Sequence, residues 1–358
     1  MGAVPGSLAV DAPILEPDLE RVGDAARRLE RAGYDGAFTF EGPHDPFFPL
    51  VLAARQTSRI ELSTGVAIAF ARTPMLLAHI GWDLQAVCRG RFALGLGSQI
   101  RAHVEKRFGM PWSRPAARMR ELVRALREIW RCWSEGDRLE FRGEFYTHTL
   151  MTPFFTPGPS SFGSPPIRLA GVGPRMTEVA GEVGDGFLVH PFHTPGYLRE
   201  TTLPALRRGL ARAGRPRERF EIAFQVMVVS GDGDEERERA RRAVVAQIAF
   251  YGSTPAYRPV LESLGRGELQ TRLHQLSKAG RWAEMSGLVD DALLEELAVV
   301  APMRELPARV LERCGGHADR ISLVTPWAPD LERWGDVARE LRGGRLSGAA
   351  GRGPAPRG

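Results

Sequence analysis

The stretch Glu41-Gly42-Pro43-His44-Asp45-Pro46-Phe47 sets two carboxylates and an imidazole close together, with prolines that stiffen the backbone between them. A histidine beside carboxylates can be held in one tautomer and tuned for proton exchange near neutral pH. Glu41 and His44 are therefore the candidate catalytic residues. The plainer alternative is that Asp45 caps the next helix and His44 is a surface residue; the residues alone leave both open.

Four other stretches can bind rather than transform. Ala170-Gly171-Val172-Gly173-Pro174-Arg175 leads into an amphipathic segment. Its glycines free backbone N–H groups, a helix amino end adds partial positive charge, and Arg175 can contact a phosphate bidentately. It is not a GxGxxG fingerprint. Gly95-Leu96-Gly97-Ser98-Gln99 is a glycine-flanked turn with hydroxyl and amide groups. In Ser63-Thr64-Gly65-Val66-Ala67-Ile68 the glycine permits close backbone approach to a planar ligand, or simply a β-bulge. His190-Pro191-Phe192-His193 can line a substrate pocket, although each histidine also reads as a capped loop residue, the simpler role for His193.

These stretches follow apolar runs in a repeating pattern. Strands are expected at Leu8–Val10, Gly36–Phe40, Ile60–Val66, Arg91–Leu96, Ile167–Ala170, Gly186–Val189, Ile222–Val229 and Arg320–Val324. Helical patterns lie between and after them: Asp18–Ala32, Phe47–Thr57, Pro74–Cys88, Pro115–Ser134, Pro174–Val183, Pro195–Ala213, Glu235–Phe250, Arg304–Cys314 and Leu331–Arg342. Eight strand–helix units close naturally into a TIM (β/α)8 barrel, with an open doubly wound sheet as the competing architecture. In such a barrel the site lies at the carboxyl ends of the strands, where all five stretches fall. Phe40, Phe47, Phe48 and Phe70 sit near that mouth.

Two segments break the rhythm. Leu139–Tyr146 alternates around a glycine and reads as a small hairpin, followed by a Pro/Gly/Ser-rich loop over Pro153–Pro166. Gly252–Leu297 interrupts the unit after strand seven with helical pieces at Pro259–Leu264, Glu268–Lys278 and Trp282–Val289, and reads as an inserted lid. Residues 1–342 are thus expected to form a single barrel domain with an insertion at about 252–297, and the Gly/Pro/Arg-rich residues 343–358 a disordered tail.

Composition narrows the class. The 358 residues are 43% hydrophobic and 25% charged, values of an ordinary soluble protein, with no apolar run long enough to span a bilayer. Met1–Pro17 carries acids rather than a basic patch before an apolar stretch, so no secretory signal is expected and the cytoplasm is the simplest location. The net charge of +5 comes almost wholly from arginines interleaved with acids, as in Glu235-Glu236-Arg237-Glu238-Arg239, which suits a solvated helix face better than a nucleic-acid stripe. Cys88, Cys132 and Cys314 are isolated in apolar contexts and read as structural thiols; no Cys/His cluster has metal-ligand spacing.

Taken in order, Gly33-Tyr34-Asp35-Gly36, Ala71-Arg72-Thr73-Pro74, Gly90-Arg91-Phe92-Ala93-Leu94-Gly95-Leu96-Gly97, Gly171-Val172-Gly173-Pro174 and Ala180-Gly181-Glu182-Val183-Gly184-Asp185-Gly186 resemble the bacterial luciferase-like superfamily, in particular its coenzyme F420-dependent oxidoreductase branch. The resemblance runs from about Leu8 to Val324. It implies a barrel with F420, or alternatively FMN, at its carboxyl face, and a non-proline cis peptide at Gly65-Val66 beside the central ring. It also implies a phosphate-bearing tail near Gly97, Ser98, Gly171 and Gly173; Val172 and Arg175 share that loop. Well-known deazaflavin members carry Asp-His at the end of strand two, where this chain has Glu41-Gly42 with His44 and Asp45 further on. The activity implied is hydride transfer to or from a small organic substrate near His190 and His193. A reduced-FMN monooxygenase on the same fold is the alternative, and a non-catalytic cofactor- or nucleic-acid-binding barrel the remote one. Relatives are commonly homodimers, and no nucleic-acid, membrane or metal partner is implied.

Overall fold

The computed structural model describes residues 8–327 and 329–344. Strands β1 (Ala9–Pro13), β2 (Gly36–Thr39), β3 (Glu61–Thr64), β4 (Phe92–Gly97), β5 (Ile167–Gly171), β6 (Gly186–Val189), β7 (Glu221–Val229) and β8 (Arg320–Val324) pair in sequence order. Every pairing is parallel, and β8 returns to β1, so the sheet closes into the expected TIM barrel.

Around it stand α1 (Leu19–Ala32), α2 (Phe48–Gln56), α3 (Pro74–Val87), α4 (Pro115–Glu135), α5 (Pro174–Val183), α6 (Leu203–Arg212), α7 (Asp234–Gly252), α8 (Leu306–Cys314) and α9 (Gly335–Gly343). Local chemistry sets their ends. The Asp18 side chain caps α1 by accepting from the Glu20 N–H, and Gly33 ends that helix at φ +98°. Thr73 caps α3, with Pro74 in its first turn.

Three segments differ from the pattern expected of them. The hairpin pairs Phe141–Arg142 with Thr147–His148, shifted toward the carboxyl end of Leu139–Tyr146. The long helix expected over Pro195–Ala213 is interrupted by a π turn at Leu198–Thr202. Pro204 has no N–H to return to the preceding turn, and the helix widens there. The insertion holds helices at Arg258–Glu262, Gly267–Lys278, Trp282–Ser286 and Asp291–Leu297, and then a short strand, Ala298–Val300, that pairs with β7. Of the tail expected over 343–358, residues 345–358 lie outside the described residues.

The barrel is filled rather than hollow. At its amino end Asp11, Glu61, Arg168, Glu221 and Arg320, from β1, β3, β5, β7 and β8, form a buried ionic layer: Arg320 Nε lies 2.7 Å from Asp11 Oδ2 and Arg168 Nη1 2.8 Å from Glu61 Oε1. Burial raises the Glu61 carboxyl, but Arg168 and Arg320 outweigh it and hold the group well below the usual carboxylate range; burial prevails at Asp11 and Glu221, which are pushed up. Above this layer a cavity of only about 20 Å³ remains between Phe38, Ser63, Leu188, Gln225 and Ser322, room for one water. A ligand larger than that does not fit inside the barrel.

Candidate functional site at the carboxyl rim of the barrel

The loop after β2 is fixed by two arginines. Arg72, just before α3, places Nη1 2.7 Å from Glu41 Oε2 and Nη2 2.9 Å from Asp45 Oδ2, while its guanidinium lies over the Phe47 ring. The same Glu41 oxygen accepts the Ile68 N–H at 2.7 Å. From the other side Arg107 Nη2 donates to the Gly42 carbonyl at 2.6 Å. The Asp45 carboxylate accepts the Phe47 N–H at 2.8 Å just before α2, but the N-cap of that helix is Phe47 itself, without a side-chain cap, so Asp45 is not the helix cap that the plainer reading made it. Both carboxylates thus serve Arg72 and the backbone, and neither is hydrogen-bonded to His44 among the described residues. His44 stands exposed at the loop tip. The motif around Arg72 is visible in the sequence, but its pairing with Glu41 and Asp45 is not, because those partners lie about thirty positions upstream.

The β3–β4 side of the rim is built on close backbone approach. Gly65–Val66 is a cis peptide, as the resemblance implies. The Glu41 N–H donates to the Val66 carbonyl at 3.0 Å, and the Gly65 N–H to the Thr39 carbonyl at 2.7 Å, tying this bulge to β2. A Cβ on Gly65 would stand 2.8 Å from the Phe38 ring, and one on Gly97 2.8 Å from Val66 Cγ2. These glycines are required by packing between the two strands, whether or not a ligand lies against them. The Ser98 hydroxyl donates to the neighbouring Gln99 carbonyl at 3.1 Å.

At the end of β5 the three glycine-loop positions differ. A Cβ on Gly171 would meet the Met176 side chain at 2.8 Å, so glycine there serves helix packing. Gly173 has no atom within 4 Å of where its Cβ would stand. It is the N-cap of α5, whose first turn begins with Pro174, and Arg175 follows in an exposed position. The Val172 carbonyl accepts from the Tyr197 hydroxyl at 3.2 Å, which fixes the loop between them.

The end of β6 separates the two histidines. Alternation along β6 turns Leu188 into the lumen and His190 toward the mouth above it. His190 Nδ1 accepts the Phe192 N–H at 3.1 Å, and its ring lies 4.8 Å and 4.6 Å from those of Tyr251 and Tyr257, centroid to centroid. His193 is buried, 4% exposed, with its ring beside Phe224, which alternation turns away from the lumen. Its Nδ1–H donates to the His190 carbonyl at 2.8 Å, while Nε2 has no partner. The buried Arg313 guanidinium donates to the carbonyls of His193 and Glu296, fastening this loop to α8 and the insertion. Burial brings both imidazoles down to about 3, helped at His193 by the Arg313 charge, so both are neutral at physiological pH. His190 therefore faces the mouth and His193 holds the loop. Tyr251 and Tyr257 come from sequence some sixty positions away, and nothing local in the sequence marks them.

Among the described residues no group of His, Cys, Asp and Glu side chains could hold a metal ion, and no helix is long and apolar enough to cross a membrane. What the rim offers is a clamped acidic loop, a glycine face, an open helix amino end and a neutral aromatic wall.

A model of the family described as luciferase-like monooxygenase matches residues 4–319. An uncharacterized protein of Mycobacterium tuberculosis is 55% identical over 303 residues, 85% of this chain and 89% of that one. A putative coenzyme F420-dependent oxidoreductase of the same bacterium is 30% identical over 291 residues, covering 76% and 81% of the two chains. Among solved structures, the coenzyme F420-dependent tetrahydromethanopterin reductase of Methanopyrus kandleri superposes with a TM-score of 0.75 at 20% identity, over 94% of this chain and 99% of that one, a likeness of fold.

Proposed function

Because this chain belongs to the luciferase-like monooxygenase family, within which its relatives are oxidoreductases, we propose that it uses coenzyme F420 to move a hydride to or from a small organic substrate at the carboxyl rim. The observation that carries this reading is Gly173. The open space at its Cβ position, the amino end of the ten-residue α5 and the exposed Arg175 together fit a phosphate-bearing tail. The Gly65–Val66 bulge, Gly97, Ser98, Gly171 and Val172 make the rest of that face.

F420, when bound, supplies a hydride donor or acceptor carbon at the centre of a flat ring. The chain's part is to orient reactants, exclude water and manage the proton that accompanies the hydride. In this reading Glu41 acts through Arg72, keeping the loop after β2 in one conformation, and His44 exchanges the proton at its exposed imidazole. His190 faces the substrate with a neutral ring.

Titration of the purified protein with F420 and, separately, with FMN tests the assignment, followed by anaerobic and aerobic turnover screens. Preferential F420 binding with anaerobic bleaching of the deazaflavin is the expected result. Preferential FMN binding with substrate-dependent oxygen uptake would instead make the protein a monooxygenase, because a deazaflavin has carbon in place of the flavin N5 that supports reaction with oxygen. Binding of polynucleotide, steeply weakened by salt and without either cofactor, would overturn both.

A further inference from the structure

The chain has five tyrosines. Three have engaged hydroxyls: Tyr34 donates to the Leu331 carbonyl, Tyr197 to the Val172 carbonyl, and Tyr146 accepts from Arg118. The other two, Tyr251 and Tyr257, have no hydroxyl partner among the described residues, although burial raises both phenols, Tyr251 to about 12. They are also the two whose rings flank His190.

The His190 tautomer is determined by its surroundings. Nδ1 accepts the Phe192 N–H, so the ring proton of the neutral imidazole is on Nε2, and Nε2–H has no acceptor among the described residues. Three neutral donors are thus carried by neighbouring rings, with no acceptor for them among the described residues. Their surroundings are apolar: Tyr251, Tyr257 and Val172 pack on a core of Phe192, Val260, Leu261 and Leu273. Burial is what shifts both His190 and Tyr251, with no charged side chain among the described residues adding to it.

The geometry is held from outside. Ser253, in the turn between the two tyrosines, offers its carbonyl to Gln270 Nε2 at 3.3 Å and to His274 Nδ1 at 3.1 Å, both on the insertion helix Gly267–Lys278. The insertion therefore sets the spacing of the aromatic wall against β6.

We infer that His190, Tyr251 and Tyr257 form the substrate-oxygen subsite, and that it takes an uncharged oxygenated molecule, a ketone, an aldehyde or the corresponding alcohol, rather than a carboxylate or phosphate. The inference deepens the proposed F420 reading and uses the same rim. A carbonyl oxygen buried here gains hydrogen bonds that offset its desolvation, whereas an anion would be buried without a counter-charge. The neutral His190 is a donor that polarises the oxygen; losing its Nε2 proton would leave an imidazolate, so it is not the acid of the reaction.

The test is equilibrium binding to the full chain, read by ligand-observed NMR and fluorescence quenching, with cyclohexanone, cyclohexanol and cyclohexanecarboxylate as probes of one carbon skeleton. F420 is titrated separately. The ketone is expected to bind at least tenfold more tightly than the carboxylate. Tyr257→Phe and Tyr251→Phe, which keep the rings, are each expected to weaken ketone binding about 5- to 10-fold, one neutral hydrogen bond, with F420 affinity and melting temperature unchanged. Equal affinity for the carboxylate, no ketone binding, or ketone affinity indifferent to both substitutions would overturn the subsite. If ketone binding responds to the tyrosines while F420 does not bind, the subsite stands and the cofactor reading falls; F420 binding with no response to the tyrosines has the opposite meaning.

Discussion

Arg72 and Glu41 meet at 2.7 Å, guanidinium Nη1 to carboxylate Oε2, with the glutamate side chain only 5% exposed. A carboxylate so deeply placed is costly to leave without its cation. Arg72→Met is expected to destabilise the fold by about 3 kcal/mol, measured by urea denaturation. The double variant Arg72→Met/Glu41→Gln should recover part of that loss, since it leaves no buried charge unpaired. Strict additivity of the two single losses would show that the pair is not what anchors the loop.

His44 is free of that anchor. Its carboxylate neighbours are occupied by Arg72, so His44→Ala should leave the loop and F420 affinity intact. In the proposed reaction it should lower kcat by about 10²-fold. Unchanged turnover removes His44 from the mechanism and leaves the proton to solvent.

Gly173 separates binding from packing. Its φ of −77° is open to any residue, and nothing lies near its Cβ position, so Gly173→Val is expected to fold normally. The valine methyls would fill the space in front of α5 and should weaken F420 binding about tenfold or more, read by titration. Gly171→Val is the contrasting variant: its side chain would strike Met176, so loss of stability should accompany any loss of binding. F420 affinity unaltered in Gly173→Val would move the tail elsewhere on the rim.

The barrel was legible because its signals are local. Asp18 and Gly33 bracket α1, Thr73-Pro74 opens α3, and apolar runs alternate with amphipathic ones from β1 to β8. The glycine-rich rim was legible too, although only the fold separates Gly171, packed on Met176, from the open Gly173. What escaped pattern reading is set by side-chain reach across the fold. Arg72 takes the carboxylates that adjacency assigned to His44, and the end of α7 and the start of the insertion bring Tyr251 and Tyr257 to His190. The two histidines of His190–His193 look alike in sequence; strand alternation and the Phe192 N–H send one to the mouth and the other behind the wall.

That separation has a measurable consequence for stability. In the unfolded chain His190 and His193 bind protons near pH 6.5, whereas burial in the fold brings them to about 3. Between those values the unfolded state holds more protons, so their contribution to stability, complete above about pH 6.5, is lost as the pH falls through that window. Each histidine contributes a slope of about 1.4 kcal/mol per pH unit. Asn at position 190 can still accept the Phe192 N–H through its side-chain oxygen but does not titrate. The stability difference between the parent protein and His190→Asn should therefore shift by about 2 kcal/mol in favour of the variant between pH 7 and pH 5, read from denaturant midpoints at each pH. A difference that stays constant across that range would mean that His190 is as easily protonated in the fold as out of it. The ring would then be a cation at mildly acid pH rather than the neutral donor that the Phe192 contact defines.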